Sequence, residues 1–169
     1  MIVLFVVGAP GVGKTTAIRE LLPNPIMVPK PKWTVSSDIV AAGHYNGNVF
    51  DGADTVPYNG VLEALQYWEI CFSRKRLTIF DGDRFSHHSV KQWFDHRVDR
   101  LCAVYLFADD DTLAARRFKR GSNQYPSWIK GRVTKAVKFF ETFNDGLAID
   151  TVRNSQTEIV QLIKDFVKL

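Results

Sequence analysis

Residues 1–22 read MIVLFVVGAPGVGKTTAIRELL, and the break inside that stretch decides the fold. Residues 2–7 are a continuous apolar run with three valines, the pattern of a strand covered on both faces of a parallel sheet. The run stops at Gly8, and two more glycines, a lysine and two threonines follow before apolar residues return at helical spacing. GAPGVGKT (residues 8–15) satisfies the pattern G-x-x-x-x-G-K-[ST]. A loop wrapped around phosphates must turn its backbone N–H groups inward, and glycine permits both those dihedral angles and the close approach of the anion. The following helix adds the positive end of its dipole. Gly8, Ala9, Pro10, Gly11, Val12, Gly13, Lys14, Thr15 and Thr16 are therefore the expected phosphate cradle. Lys14 is expected to neutralise the outer phosphates of ATP, and Thr15 to ligate Mg²⁺ through its hydroxyl.

Working outward, apolar runs at residues 25–28, 77–80, 102–107 and 147–150 read as further strands. Helical patterns fall at residues 14–22, 58–74, 87–97, 128–143 and 155–168, with one more behind the capping aspartates 109–111. Residues 29–57 are rich in Gly, Pro, Asn and Asp and read as loop, with a short helical turn near residues 36–42. Strands alternate with helices throughout. The expectation is a single α/β domain over residues 1–169 of the P-loop NTPase type: a parallel five-stranded sheet flanked by helices, with a helical lid at about residues 116–135.

The composition is that of an ordinary globular chain, 46% hydrophobic and 24% charged. Cys71 and Cys102 lack metal-like spacing and read as small core residues of a reducing compartment. The opening apolar run is too short to span a membrane and lacks a basic leader, so a cytoplasmic protein without a membrane partner is expected. The net charge of +4 is unevenly placed. Of the 22 basic residues, eight lie in residues 116–138 with no acid among them, which leaves 14 against 18 acidic residues, a net of −4, elsewhere. One patch of that sign implies a polyanionic partner.

Three further segments carry candidate chemistry. In LTIFDGDRF (residues 77–85), Asp81 stands where a strand runs out and Asp83 follows two residues later. Ligands of such sheets bind at the carboxyl ends of strands. Asp81 is expected to hold Mg²⁺ with Thr15 and to serve as the general base, with Asp83 as the alternative base. In residues 116–135 the arginines suit a lid that closes over a triphosphate and meets the charge of the transferred group, with Arg116, Arg120 and Arg132 the catalytic candidates. GHYNGNVFDGADTVPYNG (residues 43–60) is a long loop suited to an acceptor. Its aromatics suit stacking on a base, and Asp54 or Asn59 suits reading its edge or sugar. Asp38, His44, Tyr45, Phe50, Asp54, Asn59 and Arg84 are the candidate substrate contacts, while Phe50 and Tyr58 are equally readable as core and His44 as a surface residue.

GAPGVGKTT, GHYNGNVFDGADTVPYNGVLEAL, FDGDRF and WIKGRVTK together resemble phage-encoded P-loop kinases that phosphorylate 5-hydroxymethyluracil in DNA, and the likeness spans most of the chain. The family pattern has Gly-Thr-Asp where this chain has Gly52-Ala53-Asp54, which removes one hydroxyl. The resemblance implies that the hydroxymethyl group of the modified base attacks the γ-phosphate of ATP, giving a phosphorylated base primed for later replacement of the phosphate. Lys119, Lys130, Lys135 and Lys138 are the candidates for contact with a DNA backbone. Two other readings use the same parts: a kinase of free nucleosides or nucleoside monophosphates, and a nucleotide-switched binding module without a phosphoryl acceptor.

Overall fold

The computed structural model describes residues 1–47, 51–122 and 124–169. Strand β1 (Ile2–Gly8) lies between β5 (Leu77–Asp81) and β6 (Arg100–Phe107) and runs parallel to both, with Leu4 in register with Ile79 and Cys102. Beyond β6 comes β7 (Gly146–Asp150), also parallel; beyond β5 comes β4 (Ile39–Ala42), parallel again. A hairpin of β2 (Ile26–Pro29) and β3 (Lys32–Ser36) extends the sheet antiparallel from β4, giving the order β2-β3-β4-β5-β1-β6-β7.

The sheet therefore has seven strands and is mixed, where five parallel strands are expected from the sequence. Five strands do form a parallel core, but β2 is not among them. The segment read as a helical turn near residues 36–42 is instead the end of β3 and the whole of β4. β-Branched Ile39 and Val40 favour the strand, and Val40, Ala41 and Ala42 are fully buried in it.

Side chains alternate along β1 as its double covering requires. Leu4 and Val6 face one layer, with α1 (Lys14–Glu20) and α7 (Gln156–Val167). Val3, Phe5 and Val7 face the other, with α2 (Val61–Cys71), the short helices α3 (Gly82–Phe85) and α4 (His88–Phe94), and α6 (Pro126–Phe140). That second layer is aromatic: Phe5 stacks on Phe80 at 5.4 Å between centroids and meets Phe139 edge-on at 5.3 Å. Within it the Trp68 indole donates to the Thr78 hydroxyl at 2.8 Å and ties α2 to β5, whereas the Trp33 indole N–H is buried without a partner. Cys102 is buried in β6, but Cys71 is exposed near the end of α2 and is not a core residue. Among the described residues no helix is long and apolar enough to cross a membrane.

The order of strands gathers the carboxyl ends of β4, β5, β1, β6 and β7 along one edge. The phosphate loop, the 43–60 loop, Asp81 and α5 (Asp110–Lys119) all start there.

Candidate active site

The phosphate loop leaves β1 at Gly8, where φ is 148° and a Cβ would overlap the Leu106 carbonyl oxygen of β6. Only glycine fits this turn against the neighbouring strand. Lys14 curls over the loop, its Nζ donating to the carbonyls of Gly8 at 2.9 Å and Ala9 at 3.0 Å. Burial pulls the Lys14 ammonium below its usual pKa; the charges of Asp81 and Asp54 oppose that shift and Arg120 adds to it. A desolvated cation resting on two carbonyls is poised to exchange them for an anion. Thr16 is exposed beside it at the start of α1.

Asp81 closes β5 beneath this loop. Thr15 donates through Oγ1 to Asp81 Oδ2 at 3.4 Å, and the Ala53 backbone N–H donates to Oδ1 at 2.8 Å. Behind the carboxylate the loop presses close: a Cβ at position 52 would lie 3.0 and 3.2 Å from its two oxygens. Tyr45, 1% exposed, is the other wall; burial and the Asp81 charge hold its phenol well above the usual value. Asp81 itself is 4% exposed, and burial lifts its pKa from 3.8 to about 6 against the lowering effects of the Ala53 N–H and Lys14. A hydroxyl and a carboxylate side by side are hard oxygen donors of the kind Mg²⁺ takes when phosphates and water complete its shell. Among the described residues no group of three His, Cys, Asp or Glu side chains forms a fuller metal cage.

Asp83, two residues on and one-quarter exposed, belongs to a different environment. It is ion-paired with Arg132 and, at 2.8 Å, with Lys135, both from α6. The Arg132 guanidinium also lies 4.7 Å from the Trp128 ring centroid. On the opposite flank Arg84 stacks 3.5 Å above Tyr58, with the exposed Asp54 carboxylate 3.9 Å away and its own Nε buried without a partner. Tyr58 is thus exposed beneath Arg84, at 64%, and not core.

Of the arginines expected in a lid, Arg120 stands at the end of α5, near enough for its charge to depress Lys14. Arg116 points elsewhere: it donates twice to Thr151, to the hydroxyl and to the carbonyl, both at 2.9 Å. The residue that reaches the phosphate loop is Arg117, 3.4 Å from the Pro10 carbonyl and packed against Gly11. The signal was present in the sequence. Leu113 is the buried anchor of α5, and Arg117, four residues later, shares its face.

The 43–60 loop is stapled down. Asp51 accepts from Arg19 of α1 at 2.7 Å and from the N–H groups of Asn46 and Gly47 at 2.9 Å each. The His44 ring is engaged: Nε2 lies 2.7 Å from the Val28 carbonyl, tying the loop to β2. Asn59 is exposed in the turn of 3₁₀ helix before α2. Phe50 lies outside the described residues. Asp38 sits in the β3–β4 turn, where its carbonyl accepts from Leu77 at the amino end of β5; it is at the wrong edge of the sheet to touch a substrate.

This architecture, a glycine-rich phosphate loop after the central strand and a buried acid at the end of its neighbour, defines a P-loop protein with the kinase-type α/β fold. The AAA domain family designated AAA_18 matches residues 4–160, and the chain belongs to that family. Among solved structures, a sugar kinase from Janibacter sp. HTCC2649 superposes with a TM-score of 0.57 at 12% identity, over 99% of this chain and 95% of that one. A gluconokinase from Sinorhizobium meliloti 1021 matches with a TM-score of 0.50 at 14% identity, over 98% and 90%. No curated protein matches the chain.

Proposed function

We propose that this chain is an ATP- and Mg²⁺-dependent kinase whose acceptor is the hydroxymethyl group of 5-hydroxymethyluracil in DNA. The observation that carries the phosphoryl-transfer reading is the pairing of Thr15 with Asp81 directly beneath the phosphate loop, with Asp83 and Arg84 opening from the same strand end. Lys14 would leave the Gly8 and Ala9 carbonyls for the outer phosphates. Thr15 and Asp81 would hold Mg²⁺, which supplies charge neutralisation at the β- and γ-oxygens.

The base role moves to Asp83. Asp81 is buried, accepts from Ala53 and Thr15, and is given to Mg²⁺ in this reading, which leaves the acceptor hydroxyl to the more open carboxylate. Asp83 is more open and is held by side chains that themselves belong to the reaction. As α5 and α6 close as a lid, Arg132 would turn from Asp83 to the transferred group, and Asp83 would take the hydroxyl proton as the oxygen bonds to phosphorus and the bond to the β-phosphate oxygen breaks. The loose transition state of phosphoryl transfer asks mainly for position and charge, so a base flanked by Lys135 suffices.

Support for the acceptor comes from the four sequence segments that resemble the DNA-base kinases and from the uncompensated basic run. Arg84 on Tyr58 and Arg132 on Trp128 offer flat cationic faces to a base. Incubation with γ-labelled ATP and, separately, 5-hydroxymethyluracil DNA, ordinary DNA and free nucleosides tests the reading. Label in the modified DNA alone is expected. Label in the nucleosides alone would replace it with a small-molecule nucleoside kinase.

A further inference from the structure

A cavity of about 710 Å³ opens between α6 and the segment leading into α4, and the reaction chemistry described above does not use it. Its lining includes Lys130, Lys135, Lys138, His87 and His88 and the hydroxyls of Ser127 and Thr134, and contains no Asp or Glu. Lys130 and Lys138 are exposed, and neither is engaged in an ion pair among the described residues. The His87 imidazole is held below its usual pKa by burial and by Lys135, as a group among cations should be.

The cavity is continuous with the reaction site through Lys135, which lines it while pairing with Asp83 at 2.8 Å. Helix α6 thus presents two rows. Arg132 and Lys135 pair with Asp83, and Trp128, four residues before Arg132, lies against its guanidinium. Lys130, Thr134 and Lys138, at i, i+4 and i+8, line the cavity. Eight residues of helix span about 12 Å, which is the rise of about three to four nucleotides of one strand. A single phosphate cannot engage both ends of such a row, whereas a strand can.

We propose that this groove carries the sugar-phosphate backbone of one DNA strand, with the reacting base turned toward the Trp128–Arg132 row and the neighbouring phosphates along Lys130 and Lys138. The assignment rests on the DNA-kinase reading for its acceptor, but its test is independent of transfer. The affinity of a short fluorescent single-stranded oligonucleotide is measured across a salt series for the parent, for the Lys130→Ala/Lys138→Ala double variant and for the Lys130→Arg/Lys138→Arg double variant, with thermal midpoints to establish that each is folded. Loss of two phosphate contacts lowers the log–log salt slope by about 1.4, and the arginine pair keeps the parent slope. An alanine variant with the parent slope, or a parent that binds no oligonucleotide, overturns the groove. Label transfer to 5-hydroxymethyluracil DNA is scored separately. Transfer with an unchanged slope sinks the groove alone, and a slope that falls as expected without any transfer sinks the kinase reading alone.

Discussion

Asp81→Asn should stabilise the protein while disabling it. The folded carboxyl has a pKa of about 6 against an ordinary 3.8, because burial penalises its charge. Below pH 3.8 the group is protonated in both folded and unfolded chains, and the site costs nothing. Between 3.8 and about 6 the native state holds the proton more tightly, so stability falls as pH rises. Above about 6 the cost is complete: the gap between 3.8 and about 6, at about 1.4 kcal/mol per factor of ten, is about 3 kcal/mol. Asparagine keeps the shape. Its Oδ1 can accept from the Ala53 N–H, and its amide can donate to Thr15 Oγ1, so both native contacts have a replacement. Thermal denaturation without nucleotide, at pH 4 and at pH 7.5, should find the variant near the parent in acid and above it at neutral pH, by up to about 3 kcal/mol or about 6–12 °C for a chain of this size. Transfer should fall by about 10²-fold or more, as expected when several kcal/mol of metal-mediated charge stabilisation goes. A variant less stable than the parent by the same margin at both pH values would refute the burial argument.

Lys14→Ala should abolish transfer with the thermal midpoint kept, because the ammonium contacts only loop carbonyls; near-normal turnover in the folded variant would remove the loop from the reaction. Asp83→Asn should lower kcat by about 10²-fold, the lower end for a positioned acid–base group, with the KM for ATP little changed; wild-type kcat would return the base role to Asp81. Arg116→Ala and Arg117→Ala should separate. The first loses two charged hydrogen bonds to Thr151 and about 1.5–3 kcal/mol of stability, and the second raises the KM for ATP with stability kept; the reverse pattern in melting and steady-state kinetics would show the α5 face misassigned. Gly8→Ala, which drives a Cβ into the Leu106 carbonyl at a φ of 148°, should cost about 3–5 kcal/mol in chemical denaturation, and a neutral result would mean the loop takes another path.

What the sequence discloses depends on how tightly chemistry binds residue type to spacing. The phosphate loop and Asp81 are legible because a backbone anion cradle admits few sequences and a strand end admits few acids. The β3–β4 hairpin is not, because Ser37 and Asp38 fill a two-residue turn that usually announces itself with Asn-Gly, and Ser37 takes the positive φ of 51°. Its strands are five and four residues long, too short for period alone to separate from a helical turn. Candidates in the 43–60 loop scatter for a related reason. His44 looks like chemistry in the sequence, yet its ring is spent on holding the loop to Val28, as Asp51 is on holding it to Arg19. Tyr58 looks like core, yet it is the face on which Arg84 lies.

The run Asp81-Gly82-Asp83 shows why no reading of residue types alone divides labour between two carboxylates. Both are aspartates, two residues apart, at one strand end. Asp81 belongs to the last buried turn of β5, where the neighbours are an N–H, a hydroxyl and a phenol and the charge is dear. Gly82, at a positive φ of 62°, swings the chain out of the sheet, and Asp83 lands among the cations of α6, about fifty residues off in sequence. Environments that differ this much suit like groups to different roles: in the proposed reaction the buried one holds a divalent cation that offsets its desolvation, and the open one takes a proton that arrives with the acceptor. Arg132 and Lys135 both sit on α6, so in the proposed reaction the base is released when Arg132 finds another anion. In that reaction the anion is the transferred phosphoryl group, while Lys135 stays beside the carboxylate, so a nucleotide in the loop must be present before Asp83 is free to act.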